Sequence, residues 1–278
     1  MGFDINQQGK GESVYKQSTV KTHMLGTRWA LPDGRVYHYA QAGAAIVIGR
    51  VVGHIAKPSA FITDVLPSSA TPRTTAQWDA NERTIHIATT ASATTSIHVW
   101  PNRYDDGYIW VTDQAGEGQI LQVKSHDVST STADSDVSFT MYEEELLTVA
   151  LTTATQFGLC ENLYKNVVIH LGTTGAGPAL GVAPRAVTSG RYFWLQTWGP
   201  CPVVNGPVLP LAGAAVIVIN STGGDTGLTG VAGSVYPAGS TKLINTLATA
   251  SRNPAIGYCI APAVADADFS LVYLTIAP

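Results

Sequence analysis

Short runs in which polar and apolar residues alternate one by one recur along this chain, and Gly, Pro, Asn, Ser and Thr fill the gaps between them. Thr84-Ile85-His86-Ile87, Ser96-Ile97-His98-Val99-Trp100 and Val137-Ser138-Phe139-Thr140-Met141-Tyr142 have a period of two, so each run places its apolar side chains on one face of an extended strand. Pro32-Asp33-Gly34 is a turn beside a strand over 35–40: proline presets φ and glycine accepts a positive one. Residues 108–112 and 119–124 flank a Gly-containing loop and read as a hairpin. After Gly181 the runs lengthen and become apolar, at 191–198, 214–219, 255–260 and 269–276, with Gly199-Pro200, Asn205-Gly206-Pro207 and Gly223-Gly224 in the gaps. Strands at this spacing without intervening helices predict an all-β chain folded as a compact antiparallel barrel or sandwich. Residues 143–151 suit a strand or a short helix equally. Three glutamates favour a first helical turn, whereas Thr152-Thr153 and the missing polar face oppose it.

A chain of 278 residues hides roughly three quarters of its extended surface on folding, and the change of texture near residue 180 suggests two β regions. The organisation expected is an extended N-terminal arm over 1–25, a β-rich domain over 26–171, a Gly-rich linker over 172–182 and a compact antiparallel barrel or sandwich domain over 183–278. The arm is polar and without periodicity. Lys10, Lys16, Lys21 and Arg28, with Tyr15 among them, form the most basic stretch and are the candidate residues for lying along an acidic neighbour, the alternative being a simply disordered terminus.

Only 13% of the residues are charged, about half the usual share, and Ser, Thr, Ala and Gly take their place. Small uncharged side chains suit closely packed strands and flat subunit contacts, because a buried charge needs a partner to offset its desolvation. The net charge of −4 offers no cationic field for a phosphate backbone, so nucleic acid is not an expected partner. The apolar run 211–219 is too short to cross a bilayer, and the first residues contain no apolar signal region; no membrane association is expected. Cys160, Cys201 and Cys259 are widely spaced in or beside apolar segments and read as small core residues.

Chemistry-bearing patterns are weak. Gly172 to Gly181 follows an apolar strand at 167–171, as a phosphate-cradling loop does, but Pro178 interrupts the helix such a loop needs, and no acidic residue lies between Glu161 and Asp225. Ser125-His126-Asp127 holds triad residue types, yet neighbours on a strand point to opposite faces. The histidines at 23, 38, 54, 86, 98, 126 and 170 stand singly, without metal-site spacing. Asp105-Asp106 and Glu143 to Glu145 are adjacent carboxylates that diverge. Trp100, Trp110, Trp194, Trp198, Tyr104 and Tyr108 could stack on a sugar, although aromatics in β domains more often serve as core or interface anchors. No catalytic, cofactor-binding or metal-binding residue is therefore assigned, and the chain is not expected to be an enzyme.

The segments Gly190 to Val204, Ala214 to Asn220, Pro254 to Ile260 and Asp266 to Ile276 resemble the strands of tailed-bacteriophage capsid decoration (cement) proteins. Leu31 to Ala40 and Gly107 to Asp113, leading into Gly116 to His126, are similar to larger virion structural proteins. The resemblance implies a β-barrel or β-tulip-like fold and a virion location on the outer capsid surface, after synthesis in the host cytoplasm. It implies the major capsid protein as partner, and a homo-oligomer, trimeric first and dimeric second. The alternatives are a tail or head-projection component and a carbohydrate-binding β module.

Overall fold

The computed structural model describes residues 13–54, 61–65, 80–87, 101–128, 137–152, 155–170, 177–218, 232–238 and 255–278. Every regular element among them is a β-strand, and all strand pairings are antiparallel. The chain folds as two compact units, one made of residues 1–56 with 163–278 and the other of 57–162.

The first unit contains β1 (Gln17–Ser18), β2 (Arg28–Ala30), β3 (Val36–Gln41), β4 (Val51–Gly53), β11 (Val168–Ile169), β12 (Ala179–Val182), β13 (Tyr192–Val204), β14 (Ala215–Val218), β15 (Val235–Pro237), β16 (Ala255–Ala261) and β17 (Phe269–Thr275). Its spine is β13. The first half of this 13-residue strand pairs with β3, and the second half pairs with β17 on the same side. The change of partner needs a bend, which a register shift between Gln196 and Trp198 and the positive φ of Gly199 (+83°) supply. Gly199-Pro200, read from sequence as a gap, thus lies in mid-strand. The amide of the buried Gln196 donates to the carbonyls of Trp198 and Pro200 (3.2 and 2.8 Å) and satisfies the backbone there.

Beyond β13 the sheet runs β4-β12-β13-β17-β16-β14-β15. Val51 N of β4 donates to Gly233 O, just ahead of β15, at 2.9 Å, so the sheet curls until its far edge returns to its start. Val51, Val182, Cys201, Val203, Val216, Val218, Val235, Ile256, Cys259, Val272 and Leu274 fill the interior, as the alternation of inward and outward residues in a small barrel requires. Cys201 and Cys259 are free thiols in this core, and burial pushes the Cys201 thiol up to about 12.

This arrangement departs from the linear division expected at residue 180. Segments 36–41 and 51–53 share one sheet with 179–275 because their apolar residues find partners on β13 and β12, and 57–162 is an insertion in that unit. The second half of the expected linker is the strand β12, between β4 and β13, with Leu180 and Val182 buried; residues 171–176 lie outside the described residues. Residues 13–25 of the expected arm lie against their own unit. Val14 and Leu25 pack with Trp29, Tyr37, Tyr39 and Trp194, β1 pairs with the start of β13, and His23 sets its ring on Tyr39 and Trp194. Burying these apolar groups outweighs the polar composition that suggested a detached segment.

The second unit is a sheet in the order β5-β10-β7-β8-β9-β6, comprising β5 (Phe61–Val65), β6 (Thr84–Ile87), β7 (Tyr108–Asp113), β8 (Ile120–His126), β9 (Val137–Met141) and β10 (Gln156–Cys160). The expected hairpin is β7-β8, and its loop turns through positive φ at Gln114, Gly116 and Gly118. Ile85, Ile87, Val137, Phe139 and Met141 point to one core, as their period of two dictates. Residues 143–151 form neither helix nor strand; they make turns and irregular backbone whose Leu147 and Leu151 dip into that core. The run at 96–100 lies outside the described residues.

Candidate interaction surface

The barrel strands of the first unit bury one face and present the other. In register across four strands stand Pro200, Tyr273, Tyr258 and Ala215, and beside them Pro202, Leu271 and Ala261. Trp198 extends the row, its indole meeting the Tyr273 ring edge-on at 6.0 Å between centroids. Tyr258 is 54% exposed, Ile260 45% and Tyr273 37%. None of these residues is charged. An apolar sheet face of this kind, rigidly backed by a packed interior, has the composition of the centre of a protein interface, where aromatics are enriched and charges depleted.

Tyr15 is exposed, and its carbonyl accepts from Arg185 Nη1. Lys16 and Lys21 are exposed. Arg28 Nε donates to the carbonyl of Pro278 at 3.2 Å. Lys10 lies outside the described residues. Of the six aromatics considered for sugar stacking, Trp194 is buried in the first unit and Tyr104 in the second. Tyr108 and Trp110 are half-buried on β7, and Trp198 joins the outer barrel face; Trp100 lies outside the described residues.

Among the described residues, His38 and His170 are held by structural contacts. His38 stacks on Tyr164 at 5.1 Å and donates from Nδ1 to Thr197 Oγ1 (3.0 Å), whose hydroxyl in turn donates a hydrogen bond to Ala277 O. Burial, aided by the Arg28 charge, lowers His38 to about 4. His170 Nε2 meets Gly177 O at 2.9 Å, and burial lowers it as well. Among the described residues no three His, Cys, Asp or Glu side chains gather as a metal site, and no helix is long and apolar enough to cross a membrane.

The second unit holds a polar cluster under the turn 101–107. Arg103 Nε and Glu161 Oε1 form a nearly buried ion pair at 2.7 Å. Tyr142 donates its hydroxyl to Asp106 at 2.6 Å, and Asn162 donates to the Asp106 carbonyl at 2.8 Å. The two neighbouring carboxylates do diverge: Asp106 is fully buried, and Asp105 turns toward His126 at 3.7 Å. Asp106 has a positive φ of 61°, so these bonds brace a backbone conformation that non-glycine residues seldom adopt. His126 spends its ring nitrogens on backbone groups, and Asp127 accepts from Ser138; Ser125, His126 and Asp127 are not linked as a relay.

Sequence reasoning missed Tyr258, Ile260 and Tyr273 because both faces of β16 and β17 are written in apolar letters; alternation separates inside from outside only where one face is polar. No protein-family model, curated protein or solved structure matches the chain.

Proposed function

We propose that this chain is a non-enzymatic structural protein that works by holding on to protein neighbours, and specifically a decoration protein attached to the outer capsid lattice of a tailed phage. The observation that supports the reading is the uncharged outer barrel face, Trp198, Pro200, Pro202, Tyr258, Ile260, Leu271 and Tyr273, on a sheet whose other side is a packed core. Such a face gains by excluding water over many equivalent sites, and binding to a folded lattice stabilises both partners without turnover. The phage lattice enters through the sequence resemblance, and the low charge content agrees with it.

A carbohydrate-binding module is the second reading, favoured by the Trp198–Tyr273 ring pair. Sugar recognition needs hydrogen-bonding groups beside the rings to take the hydroxyls. Here the neighbours are Thr275 opposite Trp198 and then Pro200, Pro202, Leu271 and Ala261, a mostly apolar set that suits a protein surface better.

Purified protein mixed with expanded, undecorated capsids separates the two. Saturable binding that raises capsid resistance to heat supports decoration; a glycan-array signal without capsid binding rejects it in favour of the sugar reading.

A further inference from the structure

We infer that His126 is an acid-sensitive latch for the turn 101–107 in the second unit, closed when the imidazole is neutral and released when it takes a second proton. The side chain is fully enclosed, between the rings of Tyr104 (5.8 Å) and Phe139 (5.3 Å). Two hydrogen bonds determine its proton state. Tyr104 N–H donates to Nε2 at 3.0 Å, so Nε2 carries no hydrogen. Nδ1 lies 2.8 Å from the Asp127 carbonyl, which only accepts, so Nδ1 carries the single proton.

The closed turn has no place for a proton on Nε2. Adding one sets two N–H groups against each other, breaks the bond to Tyr104 and leaves that amide without its acceptor. Asp105 Oδ1, 3.7 Å from Nε2 and partly exposed, is the group to which the new N–H turns. Charging the ring therefore exchanges a backbone tether for a side-chain ion pair. The latch proton comes from solvent and returns to it, and no other bond changes.

The charged groups among the described residues of the packed elements are placed as follows. From the turn itself, Arg103 lies over the Tyr104 ring at 5.2 Å and is neutralised by Glu161 at the end of β10. Asp127, next on the chain, accepts from Ser138 of β9. His86 of β6 stands opposite Ser138, on the far side of β9 from β8. Lys124 on β8 is exposed and near Glu143. Asp105 is a carboxylate within ion-pair distance of the ring. The inference does not depend on capsid attachment, since it concerns the second unit alone.

Hydrogen exchange of the 101–107 segment, corrected for intrinsic rates, tests the latch in the full chain. An imidazole that charges only in the open state, where the Asp105 carboxylate favours its charge, makes opening at least about tenfold more frequent at pH 5.5 than at pH 7.5. His126→Gln keeps a side-chain acceptor that does not titrate, so protection in that variant should stay level over the same range. Asp105→Asn should move the wild-type transition to lower pH. In unmutated protein, the His126 imidazole NMR shift should change with the same midpoint as the exchange, a readout that survives even if a variant misfolds. Level protection in the wild type, or separate midpoints for ring and turn, overturns the latch.

Discussion

The indole of Trp110 on β7 lies against the backbone of Gly158, its registered partner on β10, so closely that a Cβ at Gly158 would overlap three atoms of the ring. The glycine is there for space, since its φ is not in the left-handed region, and the large ring covers the strand that its missing side chain leaves bare. Gly158→Ala should therefore destabilise the second unit by about 1–3 kcal/mol through overpacking. In a Trp110→Ala background the same change should cost much less, a coupling that chemical denaturation of the four proteins of a double-mutant cycle measures.

The Arg103–Glu161 pair makes an asymmetric prediction. Arg103→Ala strands a carboxylate that is only 6% exposed, and removing one member of a buried pair costs about 3–5 kcal/mol. Replacing both, with Glu161→Gln added, should restore part of the loss. Thermal unfolding of single and double variants checks the order.

Acid should weaken the first unit between the ordinary histidine pKa and about 4. His38 is held neutral when folded, with a pKa near 4 against 6.5 when unfolded. The unfolded chain thus binds the extra proton first as pH falls, and stability declines with falling pH across that window, then levels off below it. The whole effect is at most about 3 kcal/mol. His170, lowered by burial, adds to it with the same sign. Urea midpoints of wild type and His38→Gln from pH 7 to 4 should show a shallower decline in the variant.

The outer barrel face predicts a separation of binding from folding. Tyr258→Lys with Tyr273→Lys alters side chains that are 54% and 37% exposed, so unfolding should shift by no more than about 1 kcal/mol. Capsid affinity should fall tenfold or more if these rings anchor the contact. Unchanged capsid affinity in a folded variant would remove this face from the proposal.

Deleting residues 1–25 should lower stability rather than merely shorten an arm. It strips Val14 and Leu25 from the cluster around Trp29, Tyr37, Tyr39 and Trp194, and removes the β1 pairing with β13. Losing those two buried side chains alone costs roughly 3 kcal/mol or more. Calorimetry of the truncated chain, with dye binding to detect the uncovered Trp194, measures the effect.

Fold class was legible because alternation and turn chemistry are local. The three-residue turn at Pro32-Asp33-Gly34, with Gly34 at φ +86° and Leu31 N bonded to Arg35 O, needs nothing beyond its own residues. The hairpin β7-β8 and the inward residues of β6 and β9 follow in the same way. The candidate face was not legible, since Tyr258 and Ile260 alternate with Cys259 in a run that is apolar on both sides.

What the order of residues determined by itself is that this chain makes antiparallel strands, where several of them turn, and which faces of the mixed polar and apolar runs are buried. Tertiary structure decided that β3 and β4 share a sheet with β12 and β13 across the insertion, that residues 13–25 lie down on Trp194, and that a protonless Nε2 of His126 holds the Tyr104 amide. The reason is one of range. Backbone preference and period act over a few neighbours, whereas burial and hydrogen-bond satisfaction are settled between residues that only the closed sheet brings together.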